Sequence, residues 1–323
     1  MNPVWMANSI HFPRHGTVRN SPATASHIVR KLDLCHELDA LRRAITMKTF
    51  ATIVALCVSG GGFFGLAHGQ STTTIEKISS IAAASQCAAY EWKDRGVAPV
   101  AYMKGIAIVY ARAVCHPERP DVKAASSPVA APGKDAENSD GLSWYRSRFS
   151  AAGISKARNS KDYLRQTYVL LLGLGMRESS GQHCIGRDTA SKFESSEGTT
   201  AGLFQASLQA HDSDPSLDTL YAYYKSNPNE CLLDIFKKDV SCTLSDWKNW
   251  GTGEGAEWQK FTKICPAFAT DFAAVVLRKN GGHEGQFGPI VERETEILPA
   301  CDAMLHDVQK LLEKDPKTCA DLH

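Results

Sequence analysis

The sequence predicts a mainly α-helical, disulfide-stabilised domain, on three observations. Apolar residues recur at three- and four-residue steps in several long segments, the period of one helical face. No β-type alternation and no internal repeat stands beside them. Ten cysteines fall so that Cys35 and Cys57 sit in an N-terminal leader and eight remain: Cys87, Cys115, Cys184, Cys231, Cys242, Cys265, Cys301 and Cys319. An even count behind an export signal reads as up to four disulfides, with the connectivity left open.

The export signal is read from residues 47–69. Lys48 precedes apolar stretches at 50–58 and 63–66, and Ala67-His68-Gly69 places small residues where a signal peptidase cuts. Ser59-Gly60-Gly61-Gly62 breaks the apolar run well short of a bilayer span, so no stable membrane anchor is expected. The mature chain is expected to start near Gln70 in a secreted or periplasmic compartment. Residues 1–46 lack sustained periodicity and read as a non-native or disordered extension.

Beyond the leader the threonines at 72–74 open a helix expected over residues 75–93, with Ile78, Ile81, Ala82 and Ala89 on one face. Ala98-Pro99 starts a second at 100–115, closing an N-terminal helical segment of residues 70–115. Residues 116–140 are rich in Pro, Ala, Ser and charge, and read as a flexible linker or long surface loop. Residues 141–323 form the catalytic domain of this reading. Near its end, residues 291–312 carry Ile297, Cys301, Leu305, Val308 and Leu312 on one stripe, with a kink expected at Pro299.

Charge excludes some partners. Seven of 36 Lys/Arg and three of 35 Asp/Glu precede Gln70, leaving 29 against 32. That is no basic footprint for nucleic acid, and no global attraction to an anionic wall. The cysteines lack the close spacing of a zinc site, and no metal or cofactor is expected. His116 and His183, each beside a cysteine, read as loop residues rather than ligands or bases.

Two short motifs carry the chemistry. Gly-Met-Arg-Glu-Ser-Ser-Gly at 175–181 closes an apolar helix, and Ala-Gly-Leu-Phe-Gln-Ala-Ser follows at 201–207. Leu164, Tyr168, Leu171 and Gly175 occupy successive steps of one helical face, and Glu178 takes the next step. Its carboxyl should be partly desolvated, which disfavours the ionised form and suits a general acid. Ser179, Ser180 and Gly181 should stop the helix. The alternative is a solvated helix-end charge paired with Arg177.

The pair of motifs resembles the lysozyme-like superfamily of soluble lytic transglycosylases and goose-type lysozymes, where Glu-Ser is followed by Gly-Leu-Met-Gln. The resemblance covers about residues 160–210. It implies a lysozyme-like helical domain with Glu178 as catalytic acid and Ser179 buttressing the turn. Gly202, Leu203, Phe204 and Gln205 would then line the opposite cleft wall, Phe204 replacing the usual Met. Asn280-Gly281-Gly282 echoes the family's Asn-Ala-Gly turn, with Arg278 and Lys279 where that family has a tyrosine. Two departures matter. The 24 residues from Glu178 to Gly202 make residues 182–200 an elaborated loop, and Ser207 stands where goose-type lysozymes place an Asp. A base or nucleophile carboxylate must then come from Asp188, Glu194 or Glu197, with Asp188 preferred; its alternative role is a loop pair with Arg187. Without such a base, attack by a substrate group favours a lytic transglycosylase. Trp247, Trp250 and Trp258 offer either sugar-stacking surface or core anchors.

The expected partner is peptidoglycan or a related β-1,4-linked aminosugar polymer, with chitin or chitosan as the second substrate. A non-catalytic wall-binding protein on the same fold is the competing class.

Overall fold

The computed structural model describes residues 73–187, 195–315 and 317–322. Expectations for the extension at 1–46, the signal segment at 47–69, Asp188 and Glu194 lie outside them. Seven helices of eleven residues or more form the body: α1 Thr74–Ala84, α2 Val100–Cys115, α3 Ser160–Ser179, α4 Ser216–Ser226, α5 Gly253–Ile264, α6 Pro266–Asn280 and α7 Pro299–Lys314. Short helical turns connect them. One two-residue hairpin pairs β1, Glu91–Trp92, antiparallel with β2, Gly96–Val97. No helix among the described residues is long and apolar enough to cross a membrane.

Helix α6 is the axis of the core. Every residue from Pro266 to Arg278 is buried, so the helix is apolar nearly all round, as a fully enclosed helix must be. α2, α3, α4, α5 and the short helix Pro120–Ala125 pack around it. α6 also carries two charges into that core. The Asp271 carboxylate accepts from Tyr168 Oη at 2.8 Å, Tyr224 Oη at 3.0 Å and Arg119 Nη2 at 2.7 Å. Arg278 grips the Asp140 carboxylate with Nε at 3.0 Å and Nη2 at 3.1 Å, and donates to the carbonyls of Ala125 and Ser127 at 2.7 Å each. Both charges thus meet the condition under which burial is tolerable: a partner charge and filled hydrogen-bond positions.

These contacts overturn the expectation of a linker at 116–140. The stretch contains helices Pro120–Ala125 and Lys134–Ser139 and buries Asp121, Val122, Ala124 and Ala125. Its order comes from polar contacts to α6, which hydrophobic periodicity does not register. The N-terminal helices likewise belong to the same core as the rest, so no domain boundary falls near 115–141.

Local chemistry explains the other differences. α1 starts as expected, with Thr73 and Glu76 forming a reciprocal capping box. It stops at Ala84 rather than 93, because the chain turns at Ser85 and enters the hairpin. α7 begins at Pro299 rather than kinking there, since a proline in the first turn lacks only an N–H that has no helical partner. α2 spans the expected residues, and the stripe Cys301, Leu305, Val308 and Leu312 is buried.

All eight cysteines among the described residues pair: Cys87–Cys301, Cys115–Cys319, Cys184–Cys242 and Cys231–Cys265. The first two tie the segment around α2 to the C-terminal helices across more than 200 residues of chain. Replacing Cys87 and Cys301 together by serine should lower unfolding free energy by about 2–5 kcal/mol, measured by denaturant titration. A thiol assay on the denatured, unreduced mature chain should find no free thiol; two or more per chain would refute the framework.

Candidate functional site

The apolar helix α3 delivers Glu178. Asn159 caps its start by accepting from the Asp162 amide, and Leu164, Tyr168, Leu171 and Gly175 are buried along the predicted stripe. Glu178 is half-buried on the last turn. Arg177, the alternative partner considered for it, reaches across to Glu294.

Past Glu178 the helix closes in a Schellman-type turn. The amide of Ser180 bonds the Met176 carbonyl at 3.0 Å and that of Gly181 bonds the Gly175 carbonyl at 3.2 Å. Ser180 and Gly181 both take left-handed backbone, φ 53° and 74°. The buried Ser179 hydroxyl returns to the Gly175 carbonyl at 2.9 Å. The Tyr102 hydroxyl of α2 donates to the Leu172 carbonyl at 2.9 Å, and its ring crowds against Gly175 so closely that a Cβ there would collide with it.

The second motif packs against this helix end. A Cβ on Gly175 would lie 3.2 Å from the Phe204 ring, so the two motifs adjoin although 24 residues separate Glu178 from Gly202. Residues 201–206 form a tight turn closed by an antiparallel bridge between Ala201 and Ala206. Gly202 takes φ 78° within it, where glycine carries no Cβ penalty, and its amide bonds the Ile185 carbonyl at 2.9 Å. The Gln205 amide group donates to the carbonyls of Gly186 at 3.1 Å and Gly202 at 3.0 Å and accepts from Thr200 Oγ1 at 3.1 Å.

These contacts revise the roles expected for the turn. Leu203 and Phe204, 0% and 1% exposed, are core residues, so their side chains do not form a cleft wall. Gln205 is buried as a clasp between two loops. Ser207 is also buried and accepts from Gln286 Nε2 at 3.3 Å. Gln286 in turn bonds the Asn280 carbonyl through its amide at 2.8 Å, which links the glycine turn after α6 to the turn at 201–206. Arg278 is the core ion-pair residue described above, and Lys279 pairs with Asp214 at 3.3 Å.

Immediately downstream, Leu208 and Gln209 line an open groove of about 1200 Å³ together with Glu197, Tyr221, Asn249 and Thr252. Glu197 is thus the loop carboxylate that the described residues place in a groove. Its own backbone N–H and the hydroxyls of Ser196 and Ser195 hold its carboxyl below the usual glutamate range. Of the tryptophans, Trp258 is a core anchor, donating to the Ala206 carbonyl at 3.1 Å. Trp250 is half-buried under the Arg187 guanidinium, and Trp247 is exposed.

Sequence reasoning missed the clasp that holds this region. His183 Nδ1 lies 2.8 Å from the Lys263 carbonyl, and Nε2 lies 3.9 Å from Cys242 Sγ. Burial pulls the imidazole below its ordinary pKa. His183, Cys184 and Cys242 are a group with metal-ligand geometry, but the two sulfurs are bonded to each other. Lys263 on α5 is buried, and its ammonium donates to the carbonyls of Asp246 at 2.9 Å and Lys248 at 3.1 Å. No local sequence signal could have found it, because its acceptors are backbone atoms 15 and 17 residues away.

No family model, curated protein or solved structure matches this chain.

The Lys263 clasp has a pH signature. Burial pushes its pKa down to about 8, against about 10.4 unfolded. Between those values the unfolded chain holds a proton that the folded chain has lost, so this group makes stability rise with pH across that window. Unfolding free energy of the wild type relative to Lys263→Met should increase from pH 8 to 10 and stay flat below pH 7. A flat difference throughout would refute the shift.

Proposed function

We propose that this protein is an exported glycan-cleaving enzyme acting on a β-1,4-linked N-acetylated polymer, peptidoglycan first, with Glu178 as general acid. The observation that carries the reading is the seating of the 201–206 turn against the last turn of α3. It holds a half-buried carboxylate at the end of a rigid helix beside a turn braced on both sides. A general acid needs that combination of partial desolvation and fixed position. The groove that begins at Leu208, just downstream of the turn in sequence, is open and lined by polar groups and Tyr221, which supports an extended, hydroxyl-rich ligand there; Glu178 is not among its lining residues.

In the proposed reaction Glu178 protonates the glycosidic oxygen as the bond to the anomeric carbon breaks. The second role remains to be filled. Ser207, buried and bonded to Gln286, offers no carboxylate. Asp188, Glu194 and the anionic Glu197 are the loop carboxylates considered for activating water, with Asp188 preferred; without such a base an oxygen of the substrate closes on the anomeric carbon and leaves an anhydro end. The transglycosylase route is preferred on the absence of an acid at 207. The four disulfides suit an oxidising compartment and so support export.

Glu178→Gln keeps the shape but has no acid proton, and should cut activity about a hundred- to ten-thousand-fold while leaving the unfolding midpoint close to wild type. Zymography on purified murein reads the outcome, and retained clearing would sink the assignment. Product analysis separates the two routes. The transglycosylase route gives 1,6-anhydro ends and near-normal rates in Asp188→Asn and Glu197→Gln. Reducing ends from the wild type, with either variant inactive, would establish hydrolysis and identify the base.

A further inference from the structure

A second cavity, remote in chemistry from the proposed glycan site, lies where residues 129–132 pass over the short helix Arg146–Ala151. It measures about 390 Å³, within the range of small-ligand pockets. Leu142, Phe149, Ile154 and Ala157, all buried, contribute apolar walls, and Val129, Ala130, Ala131 and Pro132 contribute a strap. The lining includes two cations, Arg146 and Lys156, and no carboxylate.

Arg146 is half-buried and Lys156 exposed at the chamber's edge, and among the described residues neither forms an ion pair. Among the described residues Arg146 makes one hydrogen bond, from Nη2 to the strap carbonyl of Ala130 at 3.1 Å, which leaves most of its five N–H donors available. Lys156 has no carboxylate within ion-pair distance among the described residues, although Lys161, Arg165, Arg177, Lys237 and Lys310 each find one. An apolar chamber under two uncompensated cations is complementary to a ligand with an apolar body and one anionic end. A guanidinium takes a carboxylate through two parallel N–H bonds, stronger than neutral ones.

We infer that this chamber binds a medium-chain carboxylate, with the alkyl chain against Leu142, Phe149 and Ile154 and the carboxylate on Arg146 and Lys156. At ~30 Å³ per water-sized group, the volume admits roughly ten to thirteen non-hydrogen atoms, the size of octanoate or decanoate. The inference is independent of the glycan-cleaving reading, since none of the lining residues belongs to that site.

The test is calorimetric titration of the full mature chain with sodium octanoate, octylamine and 1-octanol, each kept below its aggregation limit. Octanoate should bind once per chain and at least about tenfold more tightly than either alternative. The double change Arg146→Gln with Lys156→Gln should weaken octanoate about tenfold or more and leave octanol unchanged. Because Arg146 also holds the strap, Ala131→Asp is the companion variant. It puts an opposing charge on an exposed strap residue without touching that bond, and should weaken octanoate in the same direction. No octanoate binding, equal binding of octylamine, or wild-type affinity in both variants would each overturn the inference.

Discussion

The constraint on which the rest of this molecule depends is that α6 is enclosed along almost its whole length and yet carries an aspartate and an arginine into the core. An uncompensated charge in such a place costs several kcal/mol, so folding must bring a specific partner to each. Asp271 obtains Arg119, Tyr168 and Tyr224, from three separate parts of the chain. Arg278 obtains Asp140 and two carbonyls of the segment just before it. Apolar packing alone would tolerate many arrangements of helices around α6. The two charges select one, because each fixes the rotation and height of the elements that satisfy it.

The candidate site inherits its geometry from that arrangement. Tyr168 lies on α3, ten residues before Glu178, so its bond to Asp271 sets the position of the helix whose end presents the carboxylate. Trp258 packs edge-on against Phe272 of α6 at 4.8 Å and donates to Ala206, which ties the second motif to the same axis. Cys231–Cys265 anchors the chain just before α6 begins. Both motifs are therefore referred to one rigid element. The loop after Cys184 carries Asp188, Glu194 and Glu197, the carboxylates considered for the second role of the proposed reaction.

What the sequence made legible was the local part of this structure. α2 and α3 carry long apolar faces, and their periodicity outlines them well. The stop after Glu178 was readable because serine and glycine have strong backbone preferences, although Ser180 rather than glycine takes the first left-handed position. Disulfide formation was readable from the even count of cysteines beyond residue 70, but not which cysteine meets which, since partners lie up to 214 residues apart. The segment at 116–140 was misread for a physical reason. Its stability resides in ion pairs and carbonyl contacts to α6, and a composition rich in proline and charge looks the same whether those charges meet solvent or a buried partner.

The same distinction governs the site residues. Glu178 could be chosen from sequence because one helical stripe defines both its position and its degree of burial. Leu203, Phe204 and Gln205 could be recognised as a unit but not given their roles, because a turn has two sides and its sequence does not say which faces the core. In the folded chain the turn spends its side chains inward, on α3 and on the loop at 185–186. In the proposed function, the residues that meet a glycan must then come largely from elsewhere. The groove lined by Glu197, Tyr221, Asn249 and Thr252 is assembled from three stretches of sequence distant from one another. A surface assembled in that way leaves no contiguous motif, so a single helix-borne carboxylate can be legible in a sequence while a groove of this kind is not.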